Sequence, residues 1–287
     1  MRIMVTGGAG FVGTNLIKRL LTDGHEVISI DNYSIGTKKN HIDGCTYYDI
    51  DITSPKGLDW FGDSYDVVYH LAGLSRIQPS FEDPIETFNV NTLGCIRIAE
   101  WARKTKTKVV YAGSSSRWHD PFQSPYATTK HLGEEIFKMY KKSYNLNVEI
   151  ARFYNVYGPY EIIDGDWAAV IGIWRRQIRD GLPITIVGNG NQRRDFTHVD
   201  DIVDALCKIA FTNESHDDAW ELGSGKNYSI NEVADMFEKY ATNVKRKYIS
   251  DQPGNYRRTI RESDSALDRL DWQPSDKLNE YIKELYV

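Results

Sequence analysis

The sequence predicts an α/β protein: a doubly wound parallel sheet with a second, smaller mixed α/β lobe that would bind substrate. Three observations predict it. The apolar run Ile3-Met4-Val5 ends in the glycine cluster Gly7-Gly8-Ala9-Gly10-Phe11-Val12-Gly13, and the next apolar run ends at Asp31. Strand and helix patterns alternate through the first half of the chain, the signature of parallel strands joined by crossover helices. Beyond Gly158-Pro159 this regularity breaks, and shorter strands and helices follow.

The first strand begins at Arg2. A helix with Phe11, Leu16, Ile17, Leu20 and Leu21 on one side follows the glycines, and Gly24 stops it. Glu26 to Ile30 is the second strand. Glycines let the backbone turn tightly and approach a pyrophosphate, the helix N-terminus offers N–H donors, and an acid after the second strand accepts from a ribose 2′-hydroxyl. The unit is therefore Rossmann-like and predicts dinucleotide binding. Thr46–Ile50 reads as a short strand, Val67–Leu71 as a buried strand, and Pro84–Lys104 as one long helix. Lys108–Ala112 is a strand running into Gly113-Ser114-Ser115-Ser116. Pro125–Ser143 is a helix with proline near its start, where it is tolerated. Val148–Phe153 is a further strand. Trp167–Asp180 reads as a helix, Ile184–Val187 and Phe196–Val199 as strands, and Asp200–Ala210 as a helix. Trp220–Leu222 is a strand. Ser229 with Glu232 opens a helix to Tyr240 in a capping-box pattern. Asp264–Leu270 and Asp276–Tyr286 close the chain as short helices. These elements assign 1–157 and 196–223 to the dinucleotide domain and 158–195 and 224–287 to the second lobe, with a cleft between them.

Bulk properties narrow the function. A chain of 287 residues with 26% charged and 41% hydrophobic residues buries a large core. A net charge of −5 argues against nucleic-acid or membrane-surface partners. Cys45, Cys95 and Cys207 are far apart and odd in number, and show no metal-ligand spacing. With a strand beginning at Arg2 and no span of membrane length, the expectation is a cytoplasmic protein without a metal.

Tyr126 and Lys130 form a Tyr-x-x-x-Lys pair, which a helix places on one face. A nearby ammonium favours the phenolate. Poising a tyrosine near pH 7 instead of ~10 takes about 4 kcal/mol of differential stabilisation, which Lys130 and a cationic cofactor ring would supply together. The serines at 114–116 end a parallel strand and so stand at the ligand edge of the sheet.

With these residues the chain resembles the extended short-chain dehydrogenase/reductases, in their nucleotide-sugar epimerase/dehydratase branch, over nearly its whole length. Thr6-Gly7-Gly8-Ala9-Gly10-Phe11-Val12-Gly13 matches the family's cofactor loop, and Asp51-Ile52 its adenine-holding pair. His70-Leu71-Ala72-Gly73 matches the strand end against the cofactor, and Asn91 a family asparagine. Ser114, Tyr126 and Lys130 match the catalytic set. The segment Arg152–Pro159 carries Asn155, whose equivalent reaches the substrate diphosphate. In Arg193–Asp201 the matching phosphate-gripping arginine is Arg194. Gln252-Pro253-Gly254-Asn255 with Arg257 or Arg258 resembles a later arginine-bearing segment. The resemblance further implies cofactor contacts from Asn32 and substrate contacts from Ser75, Ser115 and Ser116. It implies NAD as cofactor, a choice Asp31 supports because it would repel a 2′-phosphate. It also implies a homodimer through the Pro84–Lys104 and Pro125–Ser143 helices, where Phe88, Ile96, Phe137 and Tyr140 exceed what one sheet face can cover.

Two departures from the family pattern matter. Ser116 is followed by Arg117-Trp118-His119-Asp120, and Ser114 and Tyr126 are unusually close in sequence. Counting along the strand selects Ser114 as the catalytic serine; counting back from the missing aromatic-glycine pair selects Ser116. Secondly, where 4,6-dehydratases carry two acids and decarboxylases a glutamate, this chain has Ser115 and Ser116, and serine is a poor acid or base unless activated. The resemblance therefore implies an NAD-dependent 4-epimerase of a UDP-sugar working through a transient 4-keto sugar. A reductase, dehydratase or decarboxylase of the same family is the alternative, and a non-catalytic regulator a more remote one.

Overall fold

The computed structural model describes residues 1–54, 56–62 and 65–287. Its first half winds strands and helices in turn: β1 (Arg2–Thr6), α1 (Phe11–Thr22), β2 (Glu26–Asp31), β3 (Thr46–Asp49), β4 (Val67–His70), α2 (Ile77–Glu82), α3 (Pro84–Phe88), α4 (Gly94–Thr105), β5 (Lys108–Ser114), α5 (Pro125–Tyr144) and β6 (Val148–Phe153). There follow β7 (Asn155–Tyr157), α6 (Val170–Arg179), β8 (Ile184–Val187), β9 (Arg193–His198), α7 (Val199–Phe211), β10 (Trp220–Leu222), β11 (Asn227–Ser229), α8 (Ile230–Tyr240), β12 (Arg246–Ile249), α9 (Ser265–Leu270) and α10 (Leu278–Glu284).

Seven parallel strands form one sheet in the order β10-β6-β5-β4-β1-β2-β3. Side chains alternate across it, as the two-residue period of a strand requires. Ile3 and Val5 of β1 join one core with Leu16 and Ile17 of α1 and Ile202 and Leu206 of α7. Met4 joins the opposite core with Ile98 of α4 and Phe137 of α5. Burial on both faces explains why these strands read as continuous apolar runs. A third core, built on Trp174, Ile184, Ile186, Phe196, Val233 and Phe237, belongs to the smaller lobe. There β7, β9 and β11 form one small sheet and β8 pairs with β12 in another.

The expected long helix over Pro84–Lys104 is interrupted. A wider, π-type turn occupies Asn89–Leu93 between α3 and α4, and such turns are frequent at functional sites. The side chain of Asn91 explains it, because the turn swings it toward the loop after β4. There it accepts from Leu74 N at 2.8 Å and donates to Leu74 O at 2.9 Å and Thr129 Oγ1 at 3.1 Å. The helix expected from Trp167 begins only at Val170, and the strand expected at Phe196 begins at Arg193. The helix α2 and the strands β7, β11 and β12 lacked any periodic apolar signal, being six, three, three and four residues long. Ser229 and Glu232 form both halves of the capping box. α9 and Trp272, assigned by sequence to the second lobe, pack on the core of the large sheet.

Candidate active site

The strand order reverses between β1 and β4. Connections leave these two strands in opposite directions, so a crevice opens beyond their C-terminal ends. A cleft of about 730 Å³ runs from there to the smaller lobe. At its first end lie Gly7, Gly10, Phe11, Val12 and Gly13. Gly7 has φ +72°, and a Cβ on it would sit 2.8 Å from Ala72 N; a Cβ on Gly13 would sit 2.3 Å from Gly7 O. Only glycine fits these two places. Gly10 caps α1 with no side-chain bond, so the first N–H groups of the helix are left to a ligand. The carboxylate of Asp31 accepts from Ala9 N at 3.0 Å and Tyr33 N at 2.8 Å. Burial raises its pKa and these bonds offset part of the rise. Asn32 donates to Asp51 at 3.0 Å, and Thr53 N and Oγ1 both donate to it at 2.7 Å. Burial opposes the Asp51 charge, but these bonds outweigh it and hold its pKa below the usual value. Ile52, Leu71, Ala72 and Gly73 complete this wall. The glycine cradle, open helix end and ribose-facing acid fit a dinucleotide. Asn91 does not line the cleft; it stands buried behind the wall and holds the Leu74 backbone.

Ser114 is the last residue of β5 and Tyr126 the second of α5, a helix capped by Ser124, whose Oγ accepts from Ala127 N at 3.1 Å. Tyr126 Oη donates to Ser114 Oγ at 3.1 Å. Ser114 Oγ also accepts from Ser116 N at 3.1 Å, which caps the short turn that follows. The strand count is thus the one that puts a serine against the phenol. Ser116 also reaches the cleft wall, but its hydroxyl has no partner among the described residues. Lys130, one helical turn beyond Tyr126, donates to Ala112 O at 3.0 Å and lies 5.3 Å from the Tyr111 ring centre. Burial raises the pKa of the Tyr126 phenol, and the Ser114 bond and the charge of Arg76 offset part of the rise. Burial lowers the pKa of Lys130, against the pull of Cys95 and Glu134. The cation whose charge reaches the phenol in this protein is Arg76.

A buried ionic cluster supports this corner. Arg152 of β6 donates to Glu134 of α5 at 2.7 Å, to Asp218 at 2.7 Å and to Glu221 of β10 at 3.0 Å. Burial works against the Arg152 charge, yet Glu134 and Asp218 outweigh it and raise its pKa. Tyr154 donates to Glu221. Trp118 Nε1 donates to Glu221 at 3.1 Å beneath the Arg152 guanidinium, and Arg117 pairs with Glu135 at 3.0 Å and with Glu134 of the cluster at 3.8 Å. The short segment after the serines is therefore pinned to the cluster through the residues that depart from the family pattern.

At the far end stands Arg194, which donates to Arg193 O at 2.9 Å and Asn255 Oδ1 at 2.6 Å; burial pushes its pKa down to about 10. Asn155 lines the cleft too, but its amide nitrogen donates to Asp195 O at 3.0 Å and Thr259 Oγ1 at 3.3 Å, so its donors are engaged within the protein. Ser75 and Ser115 also line the cleft, whereas Arg257 and Arg258 do not. Arg193 N donates to Arg257 O at 2.9 Å and Thr259 N to Arg193 O at 3.0 Å. This pairing accompanies burial of Tyr256 and Thr259 and exposure of the two arginines. Gln252 and Asn255 face the cleft instead.

Sequence reasoning missed Arg76, Tyr256 and His119. The Tyr256 hydroxyl is buried without a partner among the described residues, and the His119 ring stacks on Tyr256 at 3.9 Å and 11°. No periodicity marks any of them; only the adjacency of Arg76 to Ser75 was a signal. Among the described residues no His, Cys, Asp and Glu group is arranged to hold a metal, and no helix is long and apolar enough to cross a membrane.

The fold and the Ser114–Tyr126–Lys130 group define a short-chain dehydrogenase/reductase of the extended type. Residues 3–223 match the NAD dependent epimerase/dehydratase family, and the chain belongs to it. NAD is the cofactor of this family. The chain is 33% identical to the putative UDP-glucose 4-epimerase of Methanocaldococcus jannaschii, over 99% of this chain and 96% of that one. It is 28% identical to UDP-glucuronic acid decarboxylase 1 of Arabidopsis thaliana, over 99% of this chain and 69% of that one. The solved UDP-glucuronic acid 4-epimerase of Bacillus cereus, in complex with UDP-glucuronic acid and NAD, superposes with a TM-score of 0.90 at 26% identity, covering all of both chains.

Proposed function

We propose that this protein is an NAD-dependent UDP-sugar 4-epimerase. The observation that carries the reading is the 3.1 Å bond from Tyr126 Oη to Ser114 Oγ at the sheet edge, with serines and no acid at 115 and 116. Tyr126 takes the proton of the sugar 4-hydroxyl as general base, and Ser114 holds and polarises the same oxygen. Lys130 orients the nicotinamide ribose. Bound NAD supplies hydride acceptance at C4 and its return to either face, so the sugar passes through a 4-keto form. Because burial raises the Tyr126 pKa, base function requires the positive charge of Arg76 and of the oxidised cofactor together. Gly7–Gly13, Asp31, Asn32, Asp51 and the Leu71–Gly73 wall hold the cofactor. Arg194 grips the nucleotide diphosphate, and Ser75, Ser115 and Ser116 contact the sugar. A decarboxylase reading has the Arabidopsis relative behind it. Against it, Glu161, an acid on the cleft wall, is already held by Arg175 at 2.8 Å and Tyr281 at 2.9 Å.

The test is incubation with UDP-glucose and UDP-glucuronate, with products resolved by NMR. The expected outcome is C4 inversion with no net consumption of NAD; release of carbon dioxide or of a 4-keto-6-deoxy sugar sinks the reading.

The assembly we propose is a homodimer. Phe137 and Tyr140 fill the core, so they carry none of the interface expected of them. Ile85, Phe88, Leu93 and Ile96 remain exposed on α3, α4 and the turn between them, and Met139 and Tyr144 on α5. An isologous contact would cover this face. A monomer by light scattering at micromolar concentration defeats the proposal.

A further inference from the structure

The cleft places Arg76 and Arg194 in different settings. Arg194 stands at the nucleotide end, where its charge falls on His119 and Tyr256. Arg76, at the N-terminal cap of α2, reaches across the cleft wall instead. Its Nε donates to Trp167 O at 2.9 Å and its Nη1 to Ser75 O at 2.9 Å. Both partners are neutral carbonyls. A guanidinium carries five N–H donors, and the others have no partner among the described residues. Glu161, the acid whose field reaches Arg76, is occupied by Arg175 and Tyr281.

Half-buried in the cleft wall and bonded to no anion, this guanidinium keeps donors free for a ligand. Its planar fork matches a carboxylate in a bidentate manner. Its position also selects which carboxylate. Tyr126 addresses the oxygen on C4, and on a hexopyranose ring the substituent next to C4 on the side away from C3 is C6, carried by C5. The helix that Arg76 caps lies against the start of α5, where Ser80 Oγ accepts from Tyr126 N at 3.1 Å, and the charge of Arg76 falls on Tyr126, whereas that of Arg194 falls on His119 and Tyr256; Arg76 therefore stands at the C4 end of the sugar, beside C6, and not at the diphosphate.

We propose that Arg76 is a specificity-determining residue that pairs with a carboxylate at C6 of the sugar, so that the substrate class is a UDP-hexuronic acid. The inference rests on the epimerase reading for its orientation of the sugar. Trp167 and Ser75 hold the guanidinium in place from the backbone, so it is set before the ligand arrives and loses little freedom on pairing.

Two measurements test this. The first compares kcat/KM for UDP-glucuronate and UDP-glucose in wild type, Arg76→Lys and Arg76→Gln. The glucuronate-to-glucose ratio is expected to fall about 10²-fold in Arg76→Gln and about tenfold in Arg76→Lys, which keeps charge without the fork. If both sugars lose kcat/KM alike and the pH profile moves to higher pH, Arg76 acts only on the phenol and the proposal fails. The second measures binding of both UDP-sugars by calorimetry in NAD-loaded Tyr126→Phe, which leaves Arg76 and its supports in place. At least tenfold tighter binding of UDP-glucuronate is expected; equal or weaker binding overturns the proposal even if the Arg76 variants fail to fold. A wild type that epimerises neither sugar yet keeps the glucuronate preference in binding overturns the epimerase reading and leaves the Arg76 pairing standing.

Discussion

The two ends of the cleft are built in different ways. The dinucleotide end is made mostly of backbone from one continuous stretch: a glycine turn, the start of α1 and the ends of β1 and β2. Its requirements are conformational, and Gly7 and Gly13 meet them because a Cβ at either would collide with backbone. The sugar-nucleotide end is made of side chains from remote segments: Arg76 after β4, Ser114 at the end of β5 and Ser116 just beyond it, Tyr126 on α5, Arg194 on β9 and Tyr256 near the C-terminal end of the chain. Its requirements are electrostatic, and buried charges meet them. The first kind of site is stable to changes elsewhere in the molecule. The second depends on the framework that holds its charges apart from water and from each other.

The largest effect should come at the chemistry itself. Tyr126→Phe keeps the ring, so folding and NAD binding are expected to persist while epimerisation falls by about 10²–10⁴. Ser114→Ala should cost less, because it removes a bond to the reacting oxygen and not the proton acceptor. Ser116→Ala is expected to be milder still, its hydroxyl having no partner in the protein. Steady-state rates of the three variants rank them, and a Ser116→Ala defect larger than that of Ser114→Ala reverses the assignment of the two serines.

Next in size is the framework of the sugar end. Arg152→Met leaves Glu134 and Glu221 buried without their cation. Removing one partner of a buried ionic group costs about 3–5 kcal/mol, so thermal unfolding should move down markedly. Trp118 and Arg117 are tied to the same acids, so activity measured well below the new midpoint should fall as well. A stable variant with full activity would show that the short 115–124 segment holds itself.

The same contrast decides what could be read from the residues alone. The order of the parallel sheet, the glycine turn and Asp31 were legible because period-two burial and glycine spacing are local signals. The Tyr126–Lys130 spacing was legible for the same reason, since a helix fixes which residues share a face. The state of the phenol was not. Lys130 turns its ammonium to Ala112 O, and the charge that reaches Tyr126 comes from Arg76, a residue no local pattern marks. Arg257 and Arg258 show the converse. They stand in a family-like segment, but its pairing with Arg193 accompanies their exposure to solvent, and Gln252 and Asn255 occupy the cleft. The interruption at Asn89–Leu93 was hidden because a π-type turn preserves the apolar stripe on either side of it.

His70 lies between the two ends, at the tip of β4, and offers a smaller, pH-dependent test. It is buried against Thr6 Oγ1 at 2.9 Å and Cys95 Sγ at 3.5 Å, and burial, with the charge of Lys130, pushes its pKa down to about 3. Its folded pKa lies below the ordinary ~6.5, so the unfolded chain binds the extra proton. Stability from this group is full above pH ~6.5 and is lost as pH falls toward 3, by about 1.4 kcal/mol per pH unit at most. Denaturant titrations of wild type and His70→Asn between pH 4 and pH 7 should differ in slope by about this amount. Parallel curves would mean that His70 takes up its proton in the folded protein.

The smallest expected effect tests the dinucleotide end by itself. Asp31 is held by Ala9 N and Tyr33 N, so its carboxylate is fixed where the adenosine ribose would lie. A 2′-phosphate there would meet a negative charge, with Asn32 and Tyr33 beside it and no arginine among the immediate neighbours in sequence. NAD should therefore bind at least tenfold more tightly than NADP, about 1.4 kcal/mol. The preference should shrink in Asp31→Asn, which keeps the shape and one of the two oxygens that accept from the backbone but loses the charge. Burial already raises the Asp31 pKa, so the carboxylate is the group on this wall most sensitive to acid. Protonation removes the same repulsion that the substitution removes. The NAD preference of the wild type should then narrow as pH falls toward the carboxylate range, while that of Asp31→Asn stays flat. Equal affinity for the two dinucleotides at neutral pH would show that backbone shape alone, and not the acid, sets recognition at this end of the cleft.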